Sequence, residues 1–413
     1  MKTDKAELVV IGGGPSGMIC ALRAAERGKR VVILDGNRKL GRKLRITGKG
    51  RCNLTNDCDV RTVMQNIPGD GRFLYSALTR FPPEETMKLF RSLGVPLKTE
   101  RGGRVFPESD KADDVADALV RRLEALGVRV MRTRAKQILT KDGAVCGVRH
   151  EDGVIECRAA ALCTGGRSYP LTGSDGAGYE LARTLGHTVV PTRPSLVPLE
   201  SDDEYCVEMQ GFSLKNVALS AYEDDKLVFK EQGEMLFTHF GVSGPLVLSA
   251  SAKMRRMGQA RCRLAIDLKP ALDEKKLDER ILRDFDKYAN RTFKNALDDL
   301  AARSMIPVLL RLSGIPEETK VNSITREQRK RLVALFKAFP VSVSGPRPID
   351  EAIVTAGGIS TKEVDPRTME SKLVKGLYFA GEVLDLDAYT GGFNLQIAWA
   401  TGHAAGSAVC AEE

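Results

Sequence analysis

The chain has 413 residues, 42% of them hydrophobic, which is enough for a sizeable core and suggests two or three domains rather than one. No apolar run is long enough to span a bilayer, and the first strand begins within a few residues of Met1, which leaves no room for a signal peptide. Nine scattered cysteines with no C-x-x-C pair, and four histidines, fit reduced thiols in a cytoplasm and speak against a disulfide framework or a metal site, while the net charge of +9 suits acidic partners without requiring one.

The chain opens on a βαβ unit, LVVIGGGPSGMICALRAAERGKRVVILD from Leu8 to Asp35. Leu8 to Ile11 is an apolar run fit for a buried parallel strand, Ser16 to Arg27 has apolar residues at helical spacing, and Val31 to Leu34 is a second strand. Between the first strand and the helix stands G-x-G-x-x-G. Gly12 permits the tight turn, Gly14 lets a pyrophosphate approach the backbone, and Gly17 lets helix and strand pack closely. Pro15 and Ser16 lead into the helix, whose N-terminus offers free N–H groups and partial positive charge. Asp35 ends the second strand where it can accept from a ribose hydroxyl. The unit is expected to be a dinucleotide site rather than a glycine-rich turn of no function.

The next stretch, GNRKLGRKLRITGKGRCNLTN, holds seven basic residues and no acid between Arg38 and Arg51. Its glycines 41, 48 and 50 let the backbone wrap a ligand, so it is expected to line the cofactor and neutralise phosphate. Cys52 at its end is either a small packing residue or, beside Lys49 and Arg51, a thiol of lowered pKa or a proton donor. Helices are expected from GDGRFLYSAL, over Glu84 to Leu93 and over Ala112 to Leu126. GGRVFP, Val128 to Met131, Gln137 to Thr140 and Val145 to Arg149 read as strands. Ala159 to Cys163 is an apolar strand closing in Gly165-Gly166, a turn against something close or an ordinary tight turn, and Gly178 to Leu185 resumes a helix.

From Pro191 to Pro270 helical periodicity fades and short β-rich runs appear, at Val217 to Tyr222, Lys226 to Lys230 and Arg261 to Leu268. His239 lies among them as a strand-end structural histidine or a substrate-facing base. Asp273 to Phe339 turns helical and charged. The last segment returns to the first pattern. Ile353 to Ala356 is an apolar run, Leu377 to Ala380 a strand, Gly381 its turn and Glu382 an acid placed for sugar-like hydroxyls. Gly391 and Gly392 then precede a helix from about Phe393 to Val409. A helix start aimed at the pyrimidine side of a flavin favours its reduction. Nucleotide patterns at both ends of the chain imply a long ligand, adenosine at one end and a redox ring at the other, which suits FAD better than NAD. The expected architecture is α/β: a two-part Rossmann-like FAD-binding domain (1–190 and 344–413) with an inserted β-barrel-like domain (191–271) and a helical domain (272–343).

The blocks TGKGRCN, GDGRFLYSAL, GRVFP, TGGRSYPLTGSDGAGYELA, LFTHFGVSGP and YFAGEVLDLDAYTGGFNLQIAWATG, in this order over nearly the whole chain, resemble the BaiN/RdsA family of FAD-dependent oxidoreductases, which includes aminoacetone oxidase-like flavoproteins. The resemblance implies that Gly12, Gly14 and Gly17 hold the pyrophosphate and Asp35 the adenosine ribose. It also implies that Arg42, Lys43 and the loop with Gly48, Arg51, Cys52 and Asn53 run along the flavin nucleotide, and that Gly165 and Gly166 close over it. Gly381, Glu382, Gly391, Gly392, Phe393, Asn394 and Leu395 would meet the ribityl chain and the isoalloxazine. TGKGRCN carries Lys49 where the family commonly has a third glycine. One branch resembles bile-acid enzymes that reduce a double bond conjugated to a 3-oxo group, another makes dihydrouridine in ribosomal RNA, and a third oxidises amines. The first two share a mechanism: hydride from reduced FAD to the β-carbon of an unsaturated carbonyl, and a proton from a protein acid to the α-carbon. Cys52, Tyr169 and Tyr389 are the candidate acids. The leading expectation is a reductase driven by transiently bound NADH or NADPH. A flavin oxidase of small amines such as aminoacetone and a flavin-containing RNA-binding protein are the alternatives.

Overall fold

The computed structural model describes residues 4–410. The chain divides into two units, one made of the residues up to Ser195 and those from Ile349 on, the other of Leu196–Pro348.

In the first unit a five-stranded parallel sheet is built from β1 (Leu8–Ile11), β2 (Val31–Leu34), β3 (Arg129–Met131), β4 (Ala159–Leu162) and β6 (Leu377–Phe379), in spatial order β6-β4-β1-β2-β3. The three central strands are buried along their whole length, as parallel strands covered on both faces must be, and this is why they read as unbroken apolar runs. Helix α1 (Pro15–Glu26) follows β1, and helix α3 (Phe393–Ala408) closes the chain against α1. A short helix α2 (Arg42–Ile46) interrupts the basic stretch expected as loop. Strand β5 (Val354–Ile359) pairs antiparallel with Val189–Ser195, so residues beyond the insertion complete the first unit.

The α1–α3 contact is made by glycine. A Cβ on Gly402 would lie 2.4 Å from the Ser16 carbonyl oxygen, and one on Gly406 would lie 2.3 Å from that of Cys20. Four residues apart on one helix face, these two glycines let the backbones approach nearer than any side chain would allow.

The second unit holds a seven-stranded antiparallel sheet. Its long hairpin, Ser213–Glu223 and Lys226–Thr238, turns through Asp224 and Asp225, both at positive φ, the conformation that a two-residue hairpin turn needs. The two edge strands of this sheet, Phe339–Val343 and Gly345–Pro346, are consecutive in the chain and separated by one residue. The helices Glu274–Lys287, Ile306–Ser313 and Arg326–Lys337 share one hydrophobic core with this sheet, through Phe237, Phe293, Phe336 and Phe339 among others. The expected boundary between 271 and 272 is therefore no break in packing. A nine-residue helix, Pro245–Lys253, also stands where only strands were expected: Gly244 at φ 100° and Pro at the first helical turn start it.

The glycine contact and a histidine of α3 both have measurable consequences. In Gly402→Ala and Gly406→Ala, helix propensity alone favours alanine by about 1 kcal/mol, but the clash with the α1 backbone costs roughly 1–3 kcal/mol. Both variants are expected to unfold at lower denaturant concentration than the parent, and a higher midpoint would refute the close approach. The second concerns His403, whose ring stacks on Phe81 at 4.5 Å. Burial, then the nearby Arg23 and Arg80, depress its pKa to about 4. The unfolded imidazole takes its proton near 6.5, so the unfolded state binds more protons between the two values. Stability is therefore expected to fall as pH drops from 6.5 toward 4, by at most about 1.4 kcal/mol per unit. His403→Phe should remove that part of the slope, which equilibrium unfolding at several pH values would show.

Candidate functional site

The site is built where β1 runs into α1. Gly13 N–H donates to Asp35 Oδ2 at 2.7 Å, and Asn37 N–H donates to Oδ1 at 2.7 Å. Asp35 thus ties the glycine turn to the end of β2. The three motif glycines do different work. A Cβ on Gly12 would lie 2.5 Å from the Cys163 carbonyl oxygen and one on Gly17 would lie 1.9 Å from that of Gly12, so both are demanded by packing. A Cβ on Gly14 would meet nothing nearer than 4.0 Å. Its small size serves the open side of the turn, where the first N–H groups of α1 have no intrahelical acceptor.

The far end of the chain comes to the same place. Ser16 Oγ donates to the Ala380 carbonyl at 3.1 Å, Gly381 N–H donates to Thr401 Oγ1 at 2.9 Å, and a Cβ on Gly381 would be 2.5 Å from Ser16 Oγ. Gly381, at φ 79°, is the turn that delivers Glu382. Lys43 Nζ then bonds Glu382 Oε2 at 2.7 Å and Oε1 at 3.0 Å, and donates to Ser168 Oγ at 2.6 Å. Ser168 Oγ–H donates to Glu382 Oε1 at 3.0 Å. Lys43 and Glu382 are each about four-fifths buried, so their charges are held as a pair. Gly166 sits beside them, and a Cβ there would meet Thr355 Oγ1 at 2.4 Å and Glu382 Oε1 at 2.9 Å.

A third group is organised by α3. Asn53, with its amide in the orientation that its neighbours satisfy, donates to the Thr55 carbonyl at 3.1 Å and accepts from Gly392 N–H at 3.0 Å. Asn56 Nδ2 donates to the Gly391 carbonyl at 3.0 Å, and Trp399 Nε1 to that of Leu54 at 2.9 Å. Asn394 clamps the preceding loop, accepting from Ala388 N–H at 2.9 Å and donating to the Ala388 carbonyl at 2.7 Å. Gly392 at φ 96° is the N-cap of α3, with Phe393, Asn394 and Leu395 in its first turn, and neither a side-chain cap nor an acid occupies that end. The N-terminus of α1 is bare in the same way. Two helix starts that present N–H groups without an internal anion suit an anionic or electron-rich ligand at each. The residues present therefore fit a dinucleotide cofactor: α1 and Gly14 at its pyrophosphate, Asp35 and Glu382 at hydroxyls, and α3 at its far ring.

The basic stretch behaves differently from the expectation of a phosphate-neutralising loop. Arg45 pairs with Asp113 and Asp117. Arg51 pairs with Glu100 and Asp110 and lies over the Phe106 ring at 4.2 Å. With Lys43 on Glu382, three of the seven basic residues are used inside the protein, whereas Arg38, Lys39, Arg42 and Lys49 are exposed. Arg42 reaches Asn37 Oδ1 at 3.4 Å. Gly48, Lys49, Gly50 and Cys52 all have positive φ. Lys49 thus holds, at φ 59°, the left-handed conformation for which glycine is the easier residue.

Cys52 is fully buried, its N–H donates to the Thr47 carbonyl at 3.0 Å, and burial pushes its thiol up to about 12. The lowered pKa weighed for it from its basic neighbours is thus reversed: Arg51 points to its carboxylates, and desolvation wins. Tyr169 is 38% exposed and, at φ 52°, precedes the turn Pro170–Thr172. Tyr389 is half-buried, and its N–H donates to the Asn66 carbonyl at 2.9 Å. Ser168, Thr355 and Asn37 were not foreseen. Only Thr355 left a trace in the sequence, as a hydroxyl inside an otherwise apolar strand. Among the described residues no cluster of histidine, cysteine and carboxylate could hold a metal ion, and no helix is long and apolar enough to cross a membrane.

Comparison with known proteins agrees with this geometry. The family model for the HI0933-like protein Rossmann domain matches residues 6–408. The 3-dehydro-bile acid delta(4,6)-reductase of Clostridium scindens is 33% identical over 97% of this chain and 98% of its own. The ribosomal RNA dihydrouridine synthase of Escherichia coli is 31% identical over 96% of each chain. Among solved structures, the 3-ketosteroid-delta4-(5alpha)-dehydrogenase of Rhodococcus jostii RHA1 with 4-androstene-3,17-dione is 17% identical, covers 99% of this chain and 97% of its own, and has a TM-score of 0.53, a likeness of fold. A glycine turn at a bare helix start, met by the last segment of the chain, and a match over nearly every residue lead to one conclusion: the chain belongs to the HI0933-like Rossmann-domain family.

Proposed function

We propose that this protein is an FAD-dependent reductase of carbon–carbon double bonds conjugated to a carbonyl, driven by NADH or NADPH. The observation that carries this reading is the full-length similarity to two proteins whose names describe one chemistry: a 3-dehydro-bile acid reductase and a dihydrouridine synthase both saturate a double bond next to a carbonyl. The bare helix starts, the Lys43–Glu382 pair and the open side of Gly14 support a bound dinucleotide. When bound, FAD supplies the hydride chemistry. The chain's own residues then have three tasks: to bind, to exclude water and to deliver a proton to the α-carbon.

For the proton we favour the tyrosines. Cys52 is fully buried, whereas Tyr169, 38% exposed, follows Gly165-Gly166 and Tyr389, whose hydroxyl is buried, precedes Gly391-Gly392. The substrate is a small unsaturated ketone or uridine in ribosomal RNA. The exposed Arg38, Lys39, Arg42 and Lys49 beside the dinucleotide turn favour a polyanionic substrate, and RNA bound there would weaken with salt because its binding releases counterions. The relatives' names favour this chemistry over amine oxidation.

Two measurements test the reading. Purified protein reconstituted with FAD should bleach under NADH or NADPH without air; a chain that takes up no flavin would end the proposal. In the reduced protein, loss of the true donor as Tyr169→Phe or Tyr389→Phe is expected to slow reoxidation by an unsaturated ketone about 100-fold, with FAD still bound. Cys52→Ala should leave that rate unchanged. Parent-like rates in both tyrosine variants would show that the proton comes from elsewhere.

A further inference from the structure

Thr355 sits in β5, in the run VTAGGI, and is fully buried. Its Oγ1 accepts two backbone N–H groups, from Arg167 at 2.7 Å and from Ser168 at 3.1 Å. Its own N–H donates to Glu382 Oε1 at 2.9 Å. One residue therefore holds both sides of the site: through its side chain the turn after Gly165-Gly166, through its backbone the carboxylate of Glu382. The fit is close, because a Cβ on Gly166 would stand 2.4 Å from Thr355 Oγ1.

The bonds around Glu382 show what this arrangement achieves. Oε1 receives the Thr355 N–H, the Ser168 hydroxyl and Lys43 Nζ, while Oε2 receives Lys43 Nζ. A carboxylate oxygen with three donors is fixed in place. Lys43 comes from α2, Ser168 from the segment after β4, and Thr355 from the strand after the insertion, so three distant stretches meet on one carboxylate. A side-chain oxygen that caps two consecutive N–H groups is also a strong constraint on a turn, because a buried N–H that loses its acceptor is left unsatisfied.

We propose that Thr355 is a positioning residue for the cofactor: its hydroxyl sets the Gly165–Ser168 turn, and with it Glu382, in the form that takes up FAD. This rests on the flavin reading above. Thr355 acts through its neighbours and is not a catalytic residue.

The test compares Thr355→Val, which keeps the shape and removes the acceptor, with Thr355→Ser, which keeps the acceptor. FAD is titrated into flavin-free protein by fluorescence quenching, and amide exchange at Arg167 and Ser168 is followed in the same flavin-free protein. Thr355→Val is expected to raise the FAD dissociation constant at least about tenfold, the size of one lost buried acceptor, and to speed exchange at those two amides. Thr355→Ser should stay near the parent in both. If Thr355→Val binds FAD as the parent does, or Thr355→Ser binds as poorly as Thr355→Val, the assignment is wrong. Should Thr355→Val fail to fold, Thr355→Ala decides by the same two measurements: it also removes the acceptor and is expected to weaken FAD binding at least about tenfold, and parent-like binding would overturn the assignment. A parent protein that takes up no FAD at all would show instead that the flavin reading fails, and this inference with it.

Discussion

The first unit depends on the meeting of the start of α1 with the end of the chain. Ser16 bonds Ala380 across 364 residues of sequence, and Gly402 and Gly406 let α3 lie against the α1 backbone. Because nothing larger than glycine fits, the distance between the two helices is set by main-chain contact rather than by side-chain packing, which adjusts more easily. This contact closes the sheet's edge strand β6 onto β4 and brings Glu382 to Lys43. Without it there would be two half-sites, a pyrophosphate turn at one end of the chain and an acid with a bare helix start at the other.

Electrostatics then divides the work. The densest basic stretch of the chain is partly turned inward: Arg45 and Arg51 fasten neighbouring segments, and Lys43 holds Glu382. A buried pair of this kind is costly to desolvate and repays that cost only when its remaining sites are hydrogen-bonded, as the bonds from Ser168 and Thr355 provide. What it secures is a single geometry. The attraction for the ligand's negative charge is left to the ends of α1 and α3, which carry no acid and no side-chain cap, and to the four basic residues that remain exposed.

Much of this was legible in the sequence because its causes are local. The apolar runs at Leu8, Val31 and Ala159 and the glycine spacing after Ile11 each follow from one element's own burial or backbone need. What was hidden depends on the tertiary structure. Nothing near Arg51 in sequence announces Glu100 or Asp110, so its density with other basic residues looked like a phosphate site. Cys52 gave the same false signal: its neighbours in sequence are cations, and its neighbours in space are apolar. The helix Pro245–Lys253 was missed because the segment around it alternates like a strand, and Thr355 passed as one more residue of an apolar strand.

Whether the flavin reduces a conjugated double bond is decided by the fate of the acceptor. Protein reduced without air is mixed in separate cells with a 3-oxo-4-ene steroid acid, with unmodified ribosomal RNA and with oxygen, and the products are analysed by mass. The account predicts that one of the unsaturated acceptors reoxidises the flavin and gains two hydrogens across its double bond. Reoxidation by oxygen alone, with peroxide formed and both unsaturated acceptors recovered unchanged, would contradict it.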